Sequence, residues 1–136
     1  HISSGLKAIK AAKKVSRSTK LIGVTILTSL NNKSLKEIGF DKDVKKLVSL
    51  QAKLAKKANL DGVVCSPQEV KIVKKIFKKE IITPGIRMAG DGFEDQKRIM
   101  SPKEAFNNGA TALVIGRSLT KGNIKKNIQK LVRELK

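Results

Sequence analysis

Two kinds of segment alternate along the chain. Short, almost uninterrupted apolar runs occur at 21–27 (LIGVTIL), 62–65 (GVVC), 80–83 (EIIT) and 112–115 (ALVI). Such runs, rich in β-branched residues, are the pattern of parallel strands buried on both faces. Between them lie longer segments with a helical period. Leu47, Leu50, Leu54 and Ala58 recur at spacings of three and four, while Lys45, Lys46, Lys53, Lys56 and Lys57 turn mostly to water. Val70, Val73, Ile76 and Phe77 repeat the pattern after Pro67, a residue suited to a first helical turn. A last helix is expected from about 123 to 135. Helices and strands therefore alternate, with a helix at each end, which predicts an α/β architecture with a parallel sheet. Four strands could form an open sheet, and equally they are half of a closed barrel of roughly 250 residues. No linker-like or low-complexity stretch interrupts the chain, so residues 1–136 are read as one domain.

Composition narrows the class. A chain of 136 residues, 40% of them hydrophobic, can bury an ordinary core and is unlike a disordered polymer. No apolar run approaches the ~20 residues that cross a bilayer. The first 20 residues hold six basic side chains, unlike a signal peptide. Cys65 is the single cysteine and cannot form an internal disulfide, so a cytoplasmic location is expected. The chain begins at His1 and not at Met, and an incomplete reading of a longer gene is the expectation.

The formal charge of +19 invites a nucleic-acid reading, but its makeup argues otherwise. Arginine is limited to Arg17, Arg87, Arg98, Arg117 and Arg133, and there are four Phe with no Tyr or Trp. Base-edge readers lean on arginine, and single-strand binders on aromatic platforms. The lysines read as solvated helix faces. No specific nucleic-acid partner is expected, and any attraction to a polyanion is non-specific and salt-sensitive.

In βα units functional residues gather just after the carboxyl ends of the strands. Those places read Thr28-Ser29, Ser66-Pro67-Gln68-Glu69, Pro84-Gly85-Ile86-Arg87 and Gly116-Arg117-Ser118. Gly116 permits close approach of backbone to a ligand, and the amides after it open toward a helix start. Arg117 adds a planar fork of donors suited to a phosphate dianion. From Pro84 to Gln96 the chain carries Gly85, Gly90 and Gly92 without periodicity, the pattern of a loop that closes over a ligand. Each feature alone has a plain structural explanation: a Gly-Arg pair can cap a strand, and Arg87 can make a surface ion pair.

As a set they resemble a known family. Val24-Thr25-Ile26-Leu27-Thr28-Ser29, Asp61-Gly62-Val63-Val64-Cys65-Ser66, Thr83-Pro84-Gly85-Ile86-Arg87, Asp95-Gln96-Lys97-Arg98 and Val114-Ile115-Gly116-Arg117 are similar to consecutive signatures of bacterial orotidine 5′-phosphate decarboxylases. They occur in the family's order, and His1-Ile2-Ser3-Ser4-Gly5 resembles the segment that ends the family's fourth strand. The resemblance implies the C-terminal half, about strands five to eight, of a (β/α)₈ TIM barrel. It implies conversion of orotidine 5′-monophosphate to UMP and CO₂ without metal or organic cofactor, by a homodimer. Carried over by motif, Thr28 contacts the pyrimidine and Gln96 reaches from the closing loop to phosphate and base. Arg87, Gly116 and Arg117 hold the phosphate, Gly116 through its backbone.

The departures bear on activity. The family's reactive Lys and paired carboxylates lie in an Asp-x-Lys-x-x-Asp motif. Asp95-Gln96-Lys97 begins that pattern, but Met100 stands where its second Asp belongs, and Asp41-Lys42-Asp43 has the wrong spacing. Met88 follows Arg87 where a Pro is common, and Ser4 stands where Gly is frequent. No catalytic residue is assigned in this chain, and no catalysis by it alone is expected. Self-association, aggregation or dependence on a missing half is expected instead. Two other readings remain open at this point: a freestanding phosphate-ligand half-barrel without catalysis, and a basic nucleic-acid-associated protein.

Overall fold

The four strands pair side by side in the order in which they occur. The computed structural model describes residues 1–88 and 99–136. β1 (Ile22–Val24), β2 (Gly62–Val64), β3 (Glu80–Thr83) and β4 (Ala112–Leu113) form one parallel sheet, with Gly23 opposite Val63, Val63 opposite Ile81, and Ile82 opposite Ala112. A 3₁₀ turn (Ile2–Ser4) and α1 (Leu6–Val15) precede β1. α2 (Asn32–Glu37) and α3 (Val44–Lys57) link β1 to β2, and α4 (Val70–Ile76) links β2 to β3. α5 (Pro102–Asn107) leads into β4, and α6 (Arg117–Thr120) and α7 (Ile124–Leu135) follow it.

Local chemistry starts these helices where they start. The Asn31, Asp43 and Asn123 side chains accept from the backbone N–H groups of Ser34 (2.9 Å), Lys46 (2.8 Å) and Lys126 (3.0 Å), the preferred N-cap arrangement. Ser101 opens α5 with a capping box to Glu104 and Pro102 behind it. The Ser101 hydroxyl, and then its backbone N–H, hold the Glu104 carboxyl below its usual range.

The strand runs are apolar on both faces, but the helices cover one. Gly23, Val63, Ile81 and Thr83 lie on the covered face and are buried. Ile2, Leu35, Val48, Leu60, Val70 and Val73 pack into that same core. Fully burying each such Val, Leu or Ile is worth about 1.5–3 kcal/mol, so this layer carries the fold. The opposite face, with Ile22, Val24, Val64, Ile82 and Ala112, is only half-buried, and Val114 beyond β4 is 53% exposed. The second face has no covering layer among the described residues, as expected of half a barrel whose inner faces lack their opposite wall. α7 packs against α5 and α6, yet Ile124, Ile128, Val132 and Leu135 form an exposed stripe along it.

Three further boundaries differ from the sequence pattern. β1 and β4 end sooner than the runs 21–27 and 112–115. Each is an edge strand with one neighbour, and its ladder ends after the Thr25 N–H bonds Val64 O (3.0 Å) and the Val114 N–H bonds Thr83 O (2.9 Å). Pro67 sits in a turn before α4, which begins at Val70. In α3 the inward ridge is Val44, Leu47, Val48, Gln51, Ala52 and Ala55, whereas Leu50 is exposed and Leu54 half-buried. Small residues let α3 sit close to its neighbours, and that rotation turns Leu50 outward.

Candidate ligand site at the carboxyl edge of the sheet

Because the strands are parallel and in register, their carboxyl ends open along one edge. Threonine hydroxyls stitch that edge. Thr25 Oγ1 donates to Val64 O at 2.7 Å, and Thr83 Oγ1 donates to Cys65 O at 2.6 Å. Between them the Cys65 N–H donates to Ile82 O at 3.2 Å. Both threonines are buried, so their hydroxyls serve to fix where the loops leave the sheet. Sequence reasoning passed over them; the available signal was a β-branched hydroxyl at the end of an apolar run.

The loop after β3 turns at Gly85, whose φ of 77° lies in the left-handed region that glycine enters without strain. The chain is then clamped to a distant segment: Met100 N–H donates to Gly85 O (3.2 Å) and Arg87 N–H donates to Met100 O (3.1 Å). Residues 85–87 are thereby anchored to Met100. The Arg87 side chain is half-buried, and one guanidinium nitrogen donates to Ile86 O at 3.0 Å. Gln96, with Gly90, Gly92 and the Asp95-Gln96-Lys97-Arg98 motif, lies outside the described residues.

The loop after β4 leads straight into α6. Gly116 is its N-cap, and its carbonyl accepts from the Leu119 N–H (2.9 Å) and the Thr120 N–H (3.1 Å). A Cβ added at Gly116 would meet nothing within 4 Å among the described residues, so the backbone here is open on their side. Arg117, the first residue of α6, is exposed, and the neighbouring Ser118 hydroxyl is buried without a hydrogen-bond partner among the described residues. A buried hydroxyl left unpaired is costly, and sequence pattern had marked Ser118 only as part of the Gly-Arg-Ser stretch.

The strand order decides which of these residues meet. β3 and β4 are neighbours, so the loops bearing Arg87 and Gly116-Arg117 leave the sheet side by side. Thr28 follows β1, two strands over from β3, and is half-buried. A polar cleft of about 430 Å³, lined by Asn31, Asn32, Gln68 and Glu69 among others, lies between the loops after β1 and β2. Two other perturbed charges sit at the opposite, amino edge. Asp61 precedes β2, and its carboxyl is held below the usual range by the Lys13 ammonium and then by the Leu21 N–H. Lys20 is raised by its hydrogen bond to Glu80 at the start of β3. These contacts tie α1 and the segment before β1 to the starts of β2 and β3, at the opposite end of the sheet from the loops bearing Arg87 and Arg117.

Comparison with known proteins bears on this edge. Residues 1–130 match the family model described as orotidine 5′-phosphate decarboxylase / HUMPS family. An orotidine 5′-phosphate decarboxylase from Wolbachia sp. subsp. Brugia malayi is 48% identical over 136 residues, covering 97% of this chain and 60% of that relative. One from Wolbachia pipientis subsp. Culex pipiens is 50% identical over 127 residues, covering 90% and 56%. The crystal structure of orotidine 5′-phosphate decarboxylase from Lactobacillus acidophilus superposes with a TM-score of 0.80 at 32% identity, over 99% of this chain and 61% of that one. The chain thus spans about 60% of the length of the relatives it matches.

Proposed function

The chain belongs to the orotidine 5′-phosphate decarboxylase / HUMPS family, and from that premise we propose that it is the substrate-gripping half of an enzyme converting orotidine 5′-monophosphate to UMP and CO₂. The observation that supports this reading most is the pairing of β3 with β4, which makes neighbours of the Arg87 and Gly116-Arg117 loops. Two guanidinium forks beside an open glycine backbone suit a phosphate dianion. In this reading Arg87 and Arg117 bind the phosphate through their side chains and Gly116 through its backbone. Thr28 contacts the pyrimidine, and Gln96 spans phosphate and base. Residues 1–136 act as one unit, and the reading calls for no metal or organic cofactor. The intact enzyme is proposed to be a cytoplasmic homodimer in which the half-covered sheet face becomes barrel interior.

Grip and chemistry are separable here. Loss of CO₂ leaves a carbanion-like centre on the pyrimidine, which needs a nearby ammonium to stabilise and protonate it. The Asp-x-Lys-x-x-Asp motif that would supply it does not occur in the 136 residues. The chain alone therefore binds nucleotide without turning it over. Remote phosphate binding would, in the intact enzyme, be converted into transition-state stabilisation.

Calorimetric titration with UMP and with uridine tests the grip. UMP should bind more tightly, and Arg117→Ala should weaken it by about 10- to 150-fold, the equivalent of roughly 1.5–3 kcal/mol for a charge-assisted hydrogen bond, while uridine binding barely changes. Equal losses for both ligands contradict the assignment. A phosphate-binding module that never decarboxylates would share this grip, and the DNA upstream of the His1 codon separates the two. An in-frame Asp-x-Lys-x-x-Asp segment supports the enzyme; an immediate start codon overturns it.

A further inference from the structure

The outward face of α3 departs from the logic of the helix layer. Leu47, Val48, Ala52 and Ala55 turn inward, but Leu50 turns out with 43% of its surface exposed. A sheet edge does not cause this, because α3 packs against α1 and α4, and both are present. Leu50 and Leu54 of α3, with Ile76 of α4, floor a groove of about 800 Å³ rimmed by Lys53, Lys56 and Lys57. A hollow of about 390 Å³ continues it toward the helix start, sharing Leu50 and Lys53 and adding Lys42, Lys45 and Lys46. α3 itself (VKKLVSLQAKLAKK) carries no acidic residue, and its N-cap Asp43 lies 3.7 Å from Lys46. Six lysines thus surround an aliphatic floor.

We propose that this groove docks an acidic amphipathic helix of a partner protein. Its aliphatic side chains rest on Leu50, Leu54 and Ile76, and its carboxylates face the lysine rim. Three features select this occupant. The floor is recessed, with Leu54 and Ile76 half-buried, so a ridge of side chains can enter where a flat bilayer cannot reach. The lining has neither arginine nor an aromatic ring, the groups that read or stack nucleic-acid bases. Leu50 and Leu54 are spaced i, i+4 on α3, a ridge that packs beside the i, i+3, i+4 ridges of another helix. The groove is lined by none of Thr28, Arg87, Gly116 and Arg117, and at the start of α3 it shares Lys45 with the cleft between the loops after β1 and β2.

Fluorescence anisotropy on the 136-residue chain tests the proposal. The probe is a labelled synthetic helix of about five turns, with Leu at i, i+3, i+4 and i+7 and Glu between, at about 0.15 M salt. It should bind, and a permuted peptide of the same composition without the leucine stripe should bind about ten-fold more weakly. Leu50→Asp should weaken the striped peptide by about ten-fold, the scale of one anchor residue, while Lys125→Met, the same charge change elsewhere, leaves it unaltered. If circular dichroism shows that Leu50→Asp has lost its fold, Leu50→Ala replaces it, with a smaller loss expected in the same direction. Equal binding of striped and permuted peptides, or indifference to Leu50, overturns the proposal in favour of diffuse lysine attraction. So does failure of the peptide where phosphatidylglycerol vesicles or a mixed oligonucleotide bind in a Leu50-dependent manner.

Discussion

Gly23 of β1 is a position where one added carbon has nowhere to go. An ideal Cβ there lies 2.6 Å from Leu60 Cδ1, 2.7 Å from Ile2 Cγ1 and 2.8 Å from Ile2 Cδ1. Carbon atoms settle at about 3.5–4.0 Å, so each contact is short by roughly 1 Å. Leu60 and Ile2 are 1% and 0% exposed, so neither can swing into solvent, and relief must displace other packed atoms. Overpacking costs about 1–3 kcal/mol, and three short contacts place Gly23→Ala in the upper part of that range. Loss of glycine's freedom in the unfolded chain returns about 0.4–1 kcal/mol. The net is a destabilisation of about 2 kcal/mol. At roughly 2.1 cal/mol/K of unfolding entropy per residue, a chain of 136 residues should lose about 7 °C in Tm. Thermal and urea unfolding followed by circular dichroism would measure it. Ile2→Ala removes two of the three short contacts, so Gly23→Ala should cost distinctly less in that background. A Tm within about 1 °C of the parent, or an undiminished penalty beside Ile2→Ala, would refute the packing argument.

Gly116→Ala is the complementary case. Its Cβ meets nothing among the described residues, so stability should stay within about 0.5 kcal/mol, while UMP affinity should fall because, in the proposed site, the methyl group occupies the space given to phosphate. Unchanged UMP binding would remove Gly116 from the site. The Asp61 carboxyl, held below its usual range by Lys13 and the Leu21 N–H, should govern part of the acid limb. With its folded pKa depressed, its contribution is complete above the ordinary carboxylate value of about 4 and is lost as pH falls through the lower folded value. Asp61→Asn should lower Tm near neutral pH and flatten the fall of Tm on acidification; an acid limb as steep as the parent's would show that other carboxylates carry it.

The fold was legible where one interaction dominates. β2 and β3 are the central strands, and their apolar runs mark them to within one residue. The edge strands were read too long, because hydropathy continues past the point where a one-sided ladder stops. α3 was misread at Leu50 for a different reason. Its inward ridge includes Gln51, Ala52 and Ala55, residues that hydropathy ranks below leucine but that fit a close helix contact. At the carboxyl edge, the positions of Thr28, Arg87, Gly116 and Arg117 just after their strands could be read because strand ends are legible and parallel strands share one edge. Thr25 and Thr83 offered only the weak signal of a β-branched hydroxyl in an apolar run, since their role is a hydrogen bond across to the next strand, and register is invisible in one sequence.

That one-sided core bears on which functions can be separated. The loops bearing Arg87 and Arg117 are placed by the β3–β4 ladder, by the clamp between 85–87 and Met100, and by the α6 cap. All of these are made within the chain, and none uses the half-covered face with Val24, Val64 and Ile82. The placement of these two loops therefore does not depend on what lies over that face. The exposed apolar residues divide along the same line. Val114 continues the open side of the sheet past β4, and the α7 stripe lies on a helix packed against α5 and α6, whereas Leu50 lies on α3, which packs against α1 and α4. Covering the first set would stabilise the fold and add whatever chemistry the covering segment brings. A helix docked on Leu50 would also stabilise the folded chain by mass action, but it would bring nothing to the carboxyl edge of the sheet.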